Sequence, residues 1–171
     1  MALAQKVLDF GHRNIGVISG KTRGNDRAAY RLQGVKDVLA ANGLSPDALN
    51  LVETTYDIEN GADAFGQLMA MDTPPTAVIC GNDVLAVGAL RQARDMGIAV
   101  PDEVSITGFD DIELARIVVP ALPTVHVPHR ELGHKAAIEQ VAMVERKSEG
   151  VSLELHSSLQ IRASLGPVKP A

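Results

Sequence analysis

Two adjacent carboxylates close the apolar stretch Val104-Ser105-Ile106-Thr107-Gly108-Phe109-Asp110-Asp111. Carboxylates at the end of a buried strand are expensive to desolvate unless they find partners. Asp110 therefore reads as an acceptor for hydroxyl or amine groups of a small ligand, and Asp111 as a residue that caps or turns the next segment. Gly20-Lys21-Thr22, after the apolar run Asn14–Ser19, suggests different chemistry, a phosphate-binding loop. That loop needs Gly, four residues and then Gly-Lys-Ser/Thr, so that backbone amides can wrap a phosphate. Here Gly16 leaves only Val17-Ile18-Ser19 before Gly20, and Arg23-Gly24-Asn25 reads as a turn. The loop is a plain strand exit. His126, His129 and His134 do not repeat on one helical face and have no cysteine or carboxylate cluster near them in sequence, so no metal is expected. No nucleophile has an adjacent base in sequence, which leaves catalysis without support. Tyr56, in a chain with three Phe, two Tyr and no Trp, follows an apolar strand and suits either a stacking platform or a half-buried core position.

These residues sit in a regular frame. Short β-branched runs alternate with amphipathic helices. Strands are expected at Asn14–Ser19, Leu49–Thr54, Ala77–Cys80, Val104–Thr107 and Thr124–Val127, with a last strand pair near Leu153–Ala163. Helices are expected from about Asn25 to Ala41, closed by Asn42-Gly43, from an Asp57 cap to about Met71, from an Asn82 cap to Gly97, and from about Arg130 to Glu149. Such alternation predicts an α/β fold, a doubly wound parallel sheet with helices on both faces. Ligands of these sheets bind beyond the carboxyl ends of the strands. The segments there are Gly20–Arg31, Thr55–Asp57, Gly81–Asp83 and Gly108–Asp111.

Bulk properties narrow the class. The chain has 171 residues, 46% of them hydrophobic, enough for a real core. No apolar run approaches the roughly 20 residues of a membrane span, and the opening residues are too polar and broken for a secretory signal. A net charge of −5 without a basic run makes the chain itself a poor nucleic-acid binder. The single Cys80 excludes an internal disulfide framework and fits a reducing compartment. A cytoplasmic protein without cofactor is expected.

Gly11-His12-Arg13-Asn14-Ile15-Gly16-Val17-Ile18-Ser19-Gly20 resembles the Gly-His-Arg-x-Ile-x-x-Ile-x-Gly stretch of LacI/GalR-type bacterial transcriptional regulators. Ala77–Asp83 with Gly88-Ala89-Leu90, the run Val100–Asp111, and Pro120–Val125 with Leu132-Gly133 are similar to that family in the same order. The resemblance covers about Leu3 to Ser164. It implies the effector-binding domain of a regulator, a two-lobed sheet of the periplasmic-binding-protein-like type I. On this pattern residues 3–127 and 157–164 form the second lobe, residues 128–156 belong to an otherwise absent first lobe, and 165–171 are a loose tail. The family's helix-turn-helix has no counterpart here, so operator DNA would be bound only through a segment outside these residues. A fragment of a periplasmic-type sugar-binding protein, or an enzyme on a similar sheet, are the alternatives.

By the same resemblance Arg31, Tyr56, Asn82 and Asp110 would contact the effector, with His129 able to line the cleft. A guanidinium can fork onto two hydroxyls or a carboxylate, and Asn82 also fits a helix cap. A sugar, polyol or nucleobase suits this set. Val87, Val118 and Val119 fall at dimer-contact positions. The Arg130–Glu149 helix would leave Leu132, Ala136, Val141 and Val144 uncovered, which also favours a homodimer or other self-association.

Overall fold

The computed structural model describes residues 2–46, 49–145, 147 and 149–169. Its centre is a parallel sheet. β1 (Ile15–Gly20) pairs with β2 (Asn50–Thr54) from Gly16↔Asn50 to Gly20↔Thr54, and with β3 (Ala77–Cys80) from Ile15↔Ala77 to Ile18↔Cys80. β4 (Ser105–Thr107) adds on to β3, so the order is β2-β1-β3-β4. The chain first steps outward from β1 to β2 and then returns past β1 to β3. Strand order reverses between β1 and β3, and loops on either side of that point diverge to leave a crevice.

Both faces of the sheet are covered, and side-chain alternation along each strand assigns the cover. Ile15 and Val17 of β1, with Ala77 and Ile79 of β3, pack against α1 (Ala2–Asp9) and α2 (Asp26–Ala41) through Ala4, Val7, Leu8, Val35 and Leu39. The intervening Ile18, Val78 and Cys80 face α3 (Ile58–Met69) and α4 (Asp83–Asp95), where Phe65, Leu68, Leu85 and Ala89 are fully buried. The expected doubly wound sheet is present.

Two short helices were not anticipated. The opening residues, read above only as unsuited to a secretory signal, form α1, with Leu3, Ala4, Val7 and Leu8 buried at helical spacing. α5 (Glu113–Ile117) spans barely more than a turn, too short to show a period. The tail also differs from expectation. Gly166 is buried: its carbonyl accepts from His12 Nε2 at 2.9 Å, and its N–H donates to Ser105 Oγ at 3.1 Å. Val168 N–H donates to Phe10 O at 3.0 Å. The expected loose tail is therefore pinned as far as Val168, because buried polar groups at the amino ends of the sheet need those partners; residues 170–171 lie outside the described residues. A carbonyl can only accept, so His12 carries its proton on Nε2 and its Nδ1 accepts from Thr76 Oγ1 at 2.9 Å. Burial lowers its pKa and keeps it neutral.

The remaining elements lie outside the four-stranded sheet, with β5 joined to the loop after β4 by the Asp110 N–H, which donates to Val125 O. β5 (Thr124–His126) pairs antiparallel with β6 (Ser158–Gln160), from Thr124↔Gln160 to His126↔Ser158. The strand pair expected near Leu153–Ala163 reduces to β6 and its β5 partner. Between them α6 (His129–Val144), shorter than the expected Arg130–Glu149, buries none of its residues. Leu132, Ile138, Val141, Met143 and Val144 are all exposed. Among the described residues no helix is long and apolar enough to cross a membrane.

The α3–α4 contact is where the packing is tightest. A Cβ at Gly88 would overlap the Ile58 carbonyl oxygen and stand 2.8 Å from the Ala62 nitrogen. Backbone cannot yield there as a flexible side chain would. Gly88→Ala is expected to destabilise the chain by about 1–3 kcal/mol or more, read as a lower urea midpoint with an unchanged slope.

Candidate functional site

The polar residues meet at the carboxyl ends of the four parallel strands. α2 is started by Asn25, whose Oδ1 accepts from Ala28 N at 3.1 Å. This cap sets the helix so that Arg31 lies above the sheet. Arg31 Nη2 donates to the Tyr56 hydroxyl at 2.8 Å, and the guanidinium lies 5.1 Å from the centre of the Phe109 ring. Such a cation over an aromatic face is attractive. Tyr56 leaves the end of β2 and its ring crosses Gly20, where any Cβ would overlap it. Arg31, Tyr56 and Phe109 thus form one unit across the ends of β1, β2 and β4. Arg31 Nε is buried and makes no hydrogen bond to the described residues.

Asn82 begins α4, and its Oδ1 accepts from Leu85 N at 3.0 Å, which is the capping role expected of it. The next residue was not foreseen. Asp83 is 0% exposed. Its Oδ1 accepts from Thr124 Oγ1 at 2.7 Å and its Oδ2 from Ile112 N at 2.9 Å. Its own N–H donates to Phe109 O at 2.9 Å. Burial raises the Asp83 carboxyl pKa, against the opposing bonds from Thr124 and Ile112.

Asp110 and Asp111 part company. Asp110 has φ 108, a sparsely populated conformation, and keeps its side chain 27% exposed with Oδ1 3.5 Å from His129 Nε2. Burial raises its carboxyl pKa, while the charges of Arg31 and His129 work in the other direction. Asp111, with φ 56, turns the chain as expected but does not cap α5, whose first turn has no side-chain cap. Its carboxylate is only 2% exposed. Oδ1 accepts from Arg162 Nη2 at 2.6 Å, and Oδ2 from Arg116 Nη2 at 2.8 Å and His126 Nδ1 at 3.0 Å. Burial alone would raise this carboxyl pKa; the bonds from Arg116 and Arg162, the Arg162 charge and the His126 bond outweigh it and bring it to about 2. An ionised carboxylate only accepts, so His126 presents a proton on Nδ1.

Of the residues singled out above, Arg31 and Tyr56 touch directly, Asp110 and His129 touch directly, and Asp110 feels the Arg31 charge. Asn82 is joined to the rim through its neighbour Asp83. Phe109, His126 and Arg162 were not marked as site residues. Phe109 had a signal, as one of few aromatics beside Asp110, but Arg162 lies 51 residues from its partner and had none. A cavity of about 360 Å³ runs from Arg31 and Phe109 down to Val17, Val35 and Ile79. An open cleft of about 720 Å³ lies before Asp110, His126 and His129. The volumes and mixed lining are those of a small-molecule site. Among the described residues no three His, Cys, Asp or Glu side chains are grouped to hold a metal ion. Val87 and Val118 are half-buried against the α3–α4 core, whereas Val119 is 93% exposed.

The folded-state pKa of Asp111 lies below its unfolded value of 3.8. Its contribution to stability is therefore present above pH 4 and disappears as pH falls toward about 2. Comparing urea unfolding of the chain and Asp111→Asn should show a gap of about 1–2 kcal/mol near neutrality, below the full value of the shift because Arg116 is screened by solvent. That gap should close across the stated acid window.

Over residues 4–165 the sequence matches the periplasmic binding protein-like domain. It is 36% identical over 169 residues to the ribose operon repressor of Haemophilus influenzae, covering 98% of this chain and 51% of that one. It is 35% identical over 165 residues to the HTH-type transcriptional repressor PurR of Pasteurella multocida, covering 95% and 49%. Both relatives are repressors rather than enzymes, and the chain spans about half their length. A LacI-family transcriptional regulator from Burkhoderia phymatum superposes with TM-score 0.88 at 34% identity, over 95% of this chain and 59% of that one. One from Enterococcus faecium with bound ribose gives TM-score 0.90 at 25% identity, over 98% and 62%. With the match running through nearly every element described above, the chain belongs to the periplasmic binding protein-like domain family, and its similarity runs to LacI-type regulators.

Proposed function

We propose that this chain is the effector-sensing part of a LacI-type transcriptional regulator, whose longer form binds operator DNA through a segment outside these residues. The observation that carries the reading is the juxtaposition of the Arg31–Tyr56–Phe109 unit with Asp110 at the strand-order reversal. This site offers an ionisable acceptor, a guanidinium with a spare buried donor and two aromatic surfaces. A hydroxyl-rich ring or a nucleobase satisfies all of these at once: hydroxyls or amines donate to Asp110, ring oxygens or carbonyls accept from Arg31, and the apolar ring face packs on Tyr56 or Phe109. Asn82 contributes its amide nitrogen, which capping leaves spare, and His129 closes the cleft beside Asp110. Ribose is the first candidate, since a similar regulator holds it and another relative is a ribose operon repressor. The site binds and does not transform its ligand.

Residues 3–127 and 157–164 are assigned to one lobe, and 128–156 to a second lobe whose other elements lie outside this chain. This assignment accounts for α6 burying nothing. The chain works in the cytoplasm as a homodimer, through a surface that includes Val119 and its exposed neighbours Leu114 and Ile117, with Val87 and Val118 behind them.

A thermal-shift panel of ribose, other sugars, polyols and nucleobases tests the ligand reading. An effector at about 100 times its Kd adds about 2.7 kcal/mol, a rise of roughly 5–10 °C for a chain this long. The rise should vanish in Asp110→Asn. Because Asp110 must be ionised to accept and its pKa is raised, affinity should begin to fall above the ordinary carboxylate range as the solution is acidified. A panel without any hit, on well-folded protein, removes the ligand reading for this chain. Ile117→Asp with Val119→Asp should turn the dimer into a monomer in sedimentation equilibrium; an unchanged mass rejects that surface.

A further inference from the structure

The chain passes between the four-stranded body and α6 only twice, outward through β5 and back through β6. Any displacement of α6 relative to the body must bend the chain at these two passages. Both are gripped by one carboxylate. His126, the last residue of β5, donates to Asp111 Oδ2, and Arg162, two residues beyond β6, donates to Asp111 Oδ1. Arg162 also donates through Nη1 to Leu122 O at 2.9 Å, fixing the returning passage to the segment that enters β5. The neighbouring Asp110 touches His129, the first residue of α6.

The same turn sets where Asp110 points. Its N–H donates to Val125 O at 3.0 Å, and the Asp111 N–H donates to Thr124 Oγ1 at 3.2 Å. Both acceptors are in β5. Two consecutive non-glycine residues at φ 108 and φ 56 persist only where the surroundings over-determine them. Here they do so through two amides held by β5 and a carboxylate held by both passages. Without Arg162 the Asp111 carboxylate loses its Oδ1 partner, and the turn can relax toward a commoner conformation that swings Asp110 away from Arg31 and His129.

We propose that Asp111 is a positioning residue that couples the two passages to α6 with the ligand-facing Asp110, so that capture of ligand and the position of β5 and β6 depend on one another. The inference rests on the reading of Asp110 as a ligand acceptor, and reciprocity follows from linkage: whatever the passages do to ligand affinity, ligand does to the passages. Arg116 binds the same carboxylate from α5, 60% exposed and outside both passages, and is the natural control.

The test uses the whole chain labelled with ¹³C and ¹⁵N. Arg162→Gln is expected to shift the Asp110 carboxyl and the Asp110 and His129 amide resonances in ligand-free protein, whereas Arg116→Gln leaves them in place. Arg162→Lys, which keeps one donor toward Asp111, should restore them in part and serves if the glutamine variant fails to fold. Ribose affinity should drop about tenfold or more in Arg162→Gln. Unmoved Asp110 resonances in Arg162→Gln and Arg162→Lys overturn the coupling, whether or not ribose binds. Moved resonances with no binding of ribose or of any nucleobase uphold the coupling and sink the ligand reading alone.

Discussion

The arrangement depends on a carboxylate that no solvent reaches. Asp83, at the start of α4, holds the loop after β4 through the Phe109 carbonyl and the Ile112 amide, and β5 through the Thr124 hydroxyl. Two separate stretches of chain, the loop after β4 and β5, converge on its side chain, and its backbone N–H holds the first of them a second time. Burying an acid costs several kcal/mol unless its lone pairs are used, and here each oxygen has a donor. Because those donors belong to the elements that carry Phe109, Asp110 and β5, satisfying Asp83 also places the site. Removal of its acceptors would leave the buried Thr124 hydroxyl and the partly buried Ile112 amide without their partner at once.

From that anchor the polar residues fall into two groups with different surroundings. Arg31, Tyr56 and Phe109 are held by a hydrogen bond and a cation–aromatic contact, and they remain partly open to the cleft. Asp111 is closed off by two arginines and a histidine. Adjacent aspartates thus have opposite electrostatics: burial raises the pKa of Asp110, while cationic partners lower that of Asp111. The first remains available to a ligand, and the second is committed to the protein. Separation of two like residues by environment is how a short turn can hold both a recognition group and its support.

α6 is the counterexample to this close fitting. It is helical over sixteen residues without burying one, so packing within the chain does not explain it. Its apolar groove of about 620 Å³, lined by residues such as Leu132, Met143, Val151 and Leu153, has the size and composition of a surface meant to be covered. A chain matching about half the length of its relatives leaves ample polypeptide in those relatives for such a cover.

The strands, the larger helices and their caps were legible in the sequence, because apolar periodicity and capping residues such as Asn82 and Asp57 act within a few positions. The parallel sheet followed from alternation alone, and the candidacy of Asp110 from two acids ending an apolar strand. What sequence could not supply were partners set by the closing of the sheet. His12 and Gly166 are 154 residues apart, Arg31 and Tyr56 are 25 apart, and Asp111 and Arg162 are 51 apart. Asp83 sits in the first turn of α4 as its pattern suggests, but it is also fully buried and bonded to two distant donors. Local pattern determines which residues can be buried or can accept a proton; only the folded sheet decides which distant donor arrives there, since hydrogen bonds act over about 3 Å and leave no period in the sequence.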